Sequence, residues 1–146
     1  MKNDYLAYII ILSVGIIVFG AVFLLNTNTG SGAISDSANI LSSVSSGNTD
    51  SGDVSIVLTP RSIADGLIEV EIAADTHSVD LDQFNLKEIS VLEYNGKVFK
   101  PVSASSLSGH HSSGMLSFDV GKEPSDFVIK IKGIPNVEER IFEWRG

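Results

Sequence analysis

Residues Tyr5 to Leu25 form 21 consecutive uncharged, mostly apolar positions, YLAYIIILSVGIIVFGAVFLL. As a helix rising 1.5 Å per residue, such a run spans about 31 Å, which matches the ~30 Å hydrocarbon core of a bilayer. Tyr5 and Tyr8 stand at one end, where amphipathic rings favour the membrane interface. Lys2 precedes the run, and no Lys or Arg follows it until Arg61. The positive-inside rule then keeps the N-terminus in the cytoplasm and sends everything after Leu25 outside. Residues 1–25 are therefore read as a cytoplasmic tip and a transmembrane signal anchor, giving a single-pass protein of the cell membrane. A cleaved signal peptide is the alternative, but its apolar core is usually ~7–15 residues. The nearest small-x-small site, Ser31-Gly32-Ala33, also lies well beyond Leu25. A type IV pilin is a poorer match. The run begins almost at once, no Glu opens it, and Asn26-Thr27-Asn28-Thr29-Gly30 would stop the helix at the membrane surface.

Composition changes abruptly after Leu25. Of the 28 residues 26–53, 22 are Ser, Gly, Asn, Thr or Asp, and only Ile34, Ile40, Leu41 and Val44 are large and apolar. That is too little apolar surface to offset chain entropy, so 26–53 is read as a flexible linker with a span of roughly 29 Å. The remaining 93 residues, 54–146, suffice for one modest core. The absence of cysteine excludes disulfides, thiolate metal sites, a blue-copper centre and a cysteine nucleophile. A net charge of −8 excludes the basic face a nucleic-acid binder needs.

From Val54 onward the apolar period is two. Val54, Ile56 and Leu58 alternate up to Pro60; Ile68, Val70 and Ile72 follow over 67–73. Lys87 to Tyr94 and Lys97 to Val102 flank Asn95-Gly96, a strong hairpin signal because both positions accept positive φ. Leu116, Phe118 and Val120, then Phe127, Ile129 and Ile131, then Phe142 and Trp144 complete seven short strands without a convincing helix. The fold expected is an all-β, seven-stranded antiparallel sandwich of immunoglobulin-like architecture. Trp144 is read as core. Met115 is read as core rather than as a ligand. Lys130 and Lys132 are read as a solvated sheet face. Glu138, Glu139 and Arg140 are read as decoration of the last strand's start, with Arg140 paired to a neighbouring carboxylate.

Alternating strand direction brings the loops 74–85, 103–114 and 133–136 to one end of the sandwich, where the tether also enters. All three histidines, His77, His110 and His111, fall in the first two of these loops. Imidazole suits borderline metals, and carboxylates can complete or orient such a site. His77, His110 and His111 with Asp80 or Asp82 would suit Zn²⁺ or Cu²⁺. The competing reading is a set of hydrogen-bonded turns in which Asp75, Thr76 and Ser78 cap backbone groups. Catalysis is not expected. Ser108, a histidine and Asp80 could be combined on paper, but no Gly-x-Ser-x-Gly elbow occurs and no oxyanion hole is foreseen.

Three words stand out in the domain: Asp75-Thr76-His77-Ser78-Val79-Asp80-Leu81, Gly109-His110-His111-Ser112-Ser113-Gly114, and Gly133-Ile134-Pro135-Asn136-Val137-Glu138-Glu139-Arg140-Ile141-Phe142-Glu143-Trp144. With them the region from Val54 to Trp144 resembles an uncharacterised family of secreted or membrane-anchored prokaryotic β-domains. In that family the residue after the two histidines is often Arg, where this chain has Ser112. The resemblance implies the fold and marks the words as a unit, but it brings no assigned activity. The function expected is a membrane-tethered extracytoplasmic binding domain, in its sharpest version a Zn²⁺ or Cu²⁺ binder. The alternative is an assembly module that docks on another envelope protein, with the histidines serving loop structure alone.

Overall fold

A computed structural model describes residues 41–146. The anchor expected over 1–25 and the first part of the linker lie outside the described residues. Among the described residues, no helix is long and apolar enough to cross a membrane.

Two antiparallel sheets enclose one core. Nine strands make them: β1 (Val44–Ser46), β2 (Ser55–Ala64), β3 (Leu67–Asp75), β4 (Ser90–Tyr94), β5 (Lys97–Phe99), β6 (Ser103–Ala104), β7 (His111–Asp119), β8 (Asp126–Lys132) and β9 (Glu139–Arg145). One sheet has the order β1-β2-β3-β7-β6, the other β5-β4-β8-β9. The period-two positions face inward as expected. Ile56, Leu58, Ile68, Val70, Ile72, Leu116 and Phe118 line one wall, and Leu92, Phe127, Ile129, Ile131, Phe142 and Trp144 line the other. Trp144 is core, stacked on Phe127 with ring centroids 4.9 Å apart. The β4–β5 hairpin turns at Asn95 and Gly96, with φ of 49° and 70°, the left-handed geometry these two residues tolerate best. On the outer face Lys130 donates to Glu93 at 2.7 Å, and this hydrogen bond holds the ammonium above its ordinary range against partial burial.

Several features differ from the expectation, each for a local reason. The seven expected strands are joined by two short ones, β1 and β6. β1 falls inside the stretch read as linker and pairs Val44 with Leu58 and Ser46 with Ile56. Three residues of edge pairing need little apolar content when the neighbouring strand is already in place. β2 does not stop at Pro60 but continues to Ala64 through a register shift between Pro60 and Ser62. β1 pairs only with residues 56–58, so the missing proline N–H costs no ladder bond on that side. The segment before β4 is helical rather than extended. Leu81–Gln83 forms a 3₁₀ turn, and Leu86–Ile89 forms one α-helical turn, α1, capped by the Asn85 side chain on the Lys87 N–H. Met115 is only half-buried and lies outside the core, because its neighbours Leu116 and Phe118 set the inward phase of β7 differently.

Candidate functional site at the loop end

β3 ends where β7 begins, and in the ladder between them Asp75 stands opposite His111. His111 therefore belongs to a strand and not to the expected loop. The His111 Nδ1 lies 2.8 Å from Asp75 Oδ1. The His77 ring approaches His111 edge-on, with centroids 6.4 Å apart and planes at 76°. All three histidines are exposed, and the His111 side chain retains 70% of its accessible surface.

Beneath this exposed trio lies a buried lock. Thr76 has no accessible surface, and its Oγ1 donates to the Asp53 carbonyl at 2.7 Å. The same oxygen accepts from the N–H groups of Ser78 (3.3 Å) and Val79 (3.2 Å), which turns the chain immediately after β3. The Thr76 N–H donates to the His110 carbonyl at 2.9 Å, tying the first histidine word to the second. Ser78 Oγ accepts from the Gly52 N–H, and Ser112 Oγ accepts from the Ser108 N–H. The capping role expected of Thr76 and Ser78 thus holds, whereas Asp75 engages a histidine instead.

The lock extends to the third word through Arg140. This side chain is completely buried, in contrast to the expected surface decoration. Its carboxylate partner is Asp53, 87 residues away in sequence, at 2.9 Å from Nη2. Nη2 also donates to the carbonyls of Val54 and Pro135, and Nη1 to those of Ile134 and Val137. Burial pushes the guanidinium pKa down, and the Asp53 charge opposes that shift. Gly47 closes the site from the other side. Its φ is +83°, and a Cβ there would strike the Val54 carbonyl that Arg140 uses. Sequence reasoning missed Arg140 because alternation along β9 names the inward positions without naming what a charged one would meet.

Among the five side chains proposed as metal ligands, His77 and His111 come together, while His110 contributes its backbone to the lock. Asp80 instead caps the 3₁₀ turn by accepting from the Asp82 N–H, and Asp82 is exposed. Among the described residues, no group of three or more His, Cys, Asp or Glu side chains is placed to hold a metal ion. The donor set expected for a tetrahedral centre is therefore not assembled, and the pair His77–His111 offers two imidazoles at most. The Asp75 contact is informative chemically. With Nδ1 engaged by a carboxylate, His111 keeps Nε2 as its remaining ring nitrogen, the arrangement by which carboxylates orient imidazoles for an incoming ligand. No family model, no curated protein and no solved structure matches this chain.

Proposed function

We propose that the chain is a membrane-tethered extracytoplasmic binding domain. In this reading residues 1–25 anchor it, the Ser/Gly-rich stretch spaces it from the bilayer, and an immunoglobulin-like sandwich presents the end bearing Asp75, His77, His110 and His111. The 21-residue apolar run and the lack of early cations after Lys2 support the anchor and its orientation. The packing of the three words around Asp53, Thr76 and Arg140 supports treating them as one unit, as the family resemblance implies.

The observation that carries the binding role is the Asp75–His111–His77 arrangement, two exposed imidazoles side by side, one of them (His111) oriented by a carboxylate, above a buried hydrogen-bonded base. Its chemistry suits a divalent metal ion of the Zn²⁺ or Cu²⁺ type, held by the two imidazoles with water or a partner's side chain completing the coordination. The experiment is calorimetric titration of the full chain in detergent with Zn²⁺ and with Cu²⁺. One site is expected, weakening as the medium is acidified because protons compete for imidazole. His77→Ala and His111→Ala should each abolish it, and Asp75→Ala should weaken it about 10–100-fold. Lys130→Ala should leave it unchanged. Absence of heat with either ion refutes the metal version.

The second reading is an assembly module that docks on another envelope protein. The lock itself favours it, since Thr76, Asp53 and Arg140 are committed to structure and leave the histidines as its outer layer. Under that reading His111→Ala lowers thermal stability instead of any metal affinity.

A further inference from the structure

β9 pairs with β8 along all seven of its residues, and among the described residues no strand pairs with its other edge. Long open edges are ordinarily protected by a bulge, a proline or an outward lysine, because they template pairing with another chain. Glu139–Arg145 has no bulge, proline or outward lysine, and its one inward charge, Arg140, is committed to Asp53 and to carbonyls of its own chain. Arg140, Phe142 and Trp144 point into the core, while Glu139, Ile141, Glu143 and Arg145 form the outward row. At the middle of that row Ile141 is 48% exposed, an apolar side chain between charges.

The charges on this row are ordered. An antiparallel two-fold pairing of β9 with itself, centred on Phe142, puts Glu139 opposite the partner's Arg145 and Arg145 opposite the partner's Glu139. Ile141 then lies diagonal to the partner's Ile141, within the reach of side chains about 7–8 Å apart across a strand pair. Shifting the centre to Ile141 puts Glu139 opposite the partner's Glu143, twice over. Shifting it to Glu143 places Glu143 against the partner's Glu143. A centre on Trp144 also sets Glu143 against the partner's Arg145 but overlaps only residues 142–146, so the register centred on Phe142 is the one that joins unlike charges along all seven residues of β9. Arg145 is free to make the exchange. Its side chain is 82% exposed, and its present contact is Glu143 of its own strand at 3.0 Å, a surface pair of little energetic weight.

We infer that two copies of this chain associate through β9, antiparallel and centred on Phe142, fusing their four-stranded sheets into one continuous sheet. The interface is backbone pairing flanked by two Glu139–Arg145 ion pairs, with the two Ile141 side chains meeting near the axis. It is independent of the histidine end and of any metal.

The chain has no cysteine, so each cysteine introduced is unique. The test uses the full chain in detergent, with Glu139→Cys and Arg145→Cys proteins oxidised separately and mixed. The mixture should give a cross-linked heterodimer. Each protein alone should not, since like positions lie about 20 Å apart in this register. Cross-linking of Glu139→Cys with itself to the same extent, or no cross-linking in the mixture, overturns the inference. A second measurement follows dimerisation of the cysteine-free protein by sedimentation. Arg145→Glu should weaken it about tenfold, and the double exchange Glu139→Arg/Arg145→Glu should restore it. A monomer at every concentration overturns the inference. So does a dimer indifferent to both changes, which would place the contact elsewhere on the chain.

Discussion

A single buried guanidinium decides how the loop end is organised. Arg140 spends its hydrogen bonds on one carboxylate and four carbonyls drawn from residues 53–54 and 134–137. Removing one partner of a buried ion pair leaves an uncompensated charge, whereas replacing the pair by apolar groups can be nearly neutral. Asp53→Ala is therefore expected to cost about 3–5 kcal/mol in chemical denaturation. A loss below ~1 kcal/mol would mean that the four carbonyls alone hold the cation. Trp144 is the other residue on which the fold leans. Its ring stacks on Phe127 and its Nε1 donates to the Ser42 carbonyl at 2.7 Å. Trp144→Ala should cost about 3–5 kcal/mol, read from the same denaturation curves. The two residues differ in legibility. An inward aromatic at a period-two position announces itself, but a buried arginine is indistinguishable in sequence from a surface one until its distant partner is known.

At the scale of elements, the histidine words are held by the turn after β3. Thr76 Oγ1 serves three backbone groups at once, at zero accessibility. Thr76→Val keeps the shape and deletes the hydroxyl, so buried N–H and C=O groups are left unsatisfied. The expected cost is about 1–3 kcal/mol, with faster amide hydrogen exchange at Ser78 and Val79. Unchanged exchange there would show that the turn stands without the hydroxyl. The main strands were readable because one face of each is buried, which forces strict alternation in Ile68-Val70-Ile72 or Phe127-Ile129-Ile131. Counting strand direction from them also brought the loops of the three words to one end, where the Thr76–His110 and Arg140–Asp53 contacts join them. Elements fixed by tertiary context were not readable. β1 and β6 are too short to show a period. α1 is four residues that propensity alone cannot separate from the start of a strand. The first residues of β7, His111 to Ser113, are polar because that part of the ladder lies at the exposed end. The place of the two aspartates in the candidate site was unreadable for the same reason. Closeness in sequence groups Asp80 and Asp82 with His77, yet the 3₁₀ turn takes Asp80 for its own cap.

For the whole molecule, the consequence concerns where the folded unit begins. Composition places the boundary after Asp53, because nothing upstream has enough apolar surface to fold by itself. The structure nevertheless engages residues 42–53 with the sandwich at four separate points. Ser42 receives the Trp144 indole, and β1 extends the β2 edge. Asp53 accepts from Arg140, and the Gly52 N–H donates to Ser78. Low hydrophobicity thus marks a segment that cannot nucleate structure, but not one that cannot dock on a sheet already formed. A fragment starting at Leu41 and one starting at Asp53 should both give β-type spectra, with the shorter one less stable. The difference should be about 1–3 kcal/mol, from the lost indole hydrogen bond and the lost edge pairing. Fluorescence of the single tryptophan reports the change directly, because losing residues 41–52 removes the carbonyl that its Nε1 engages. A tryptophan spectrum and midpoint identical in both fragments would return residues 41–52 to the tether and put the start of the folded unit at Asp53.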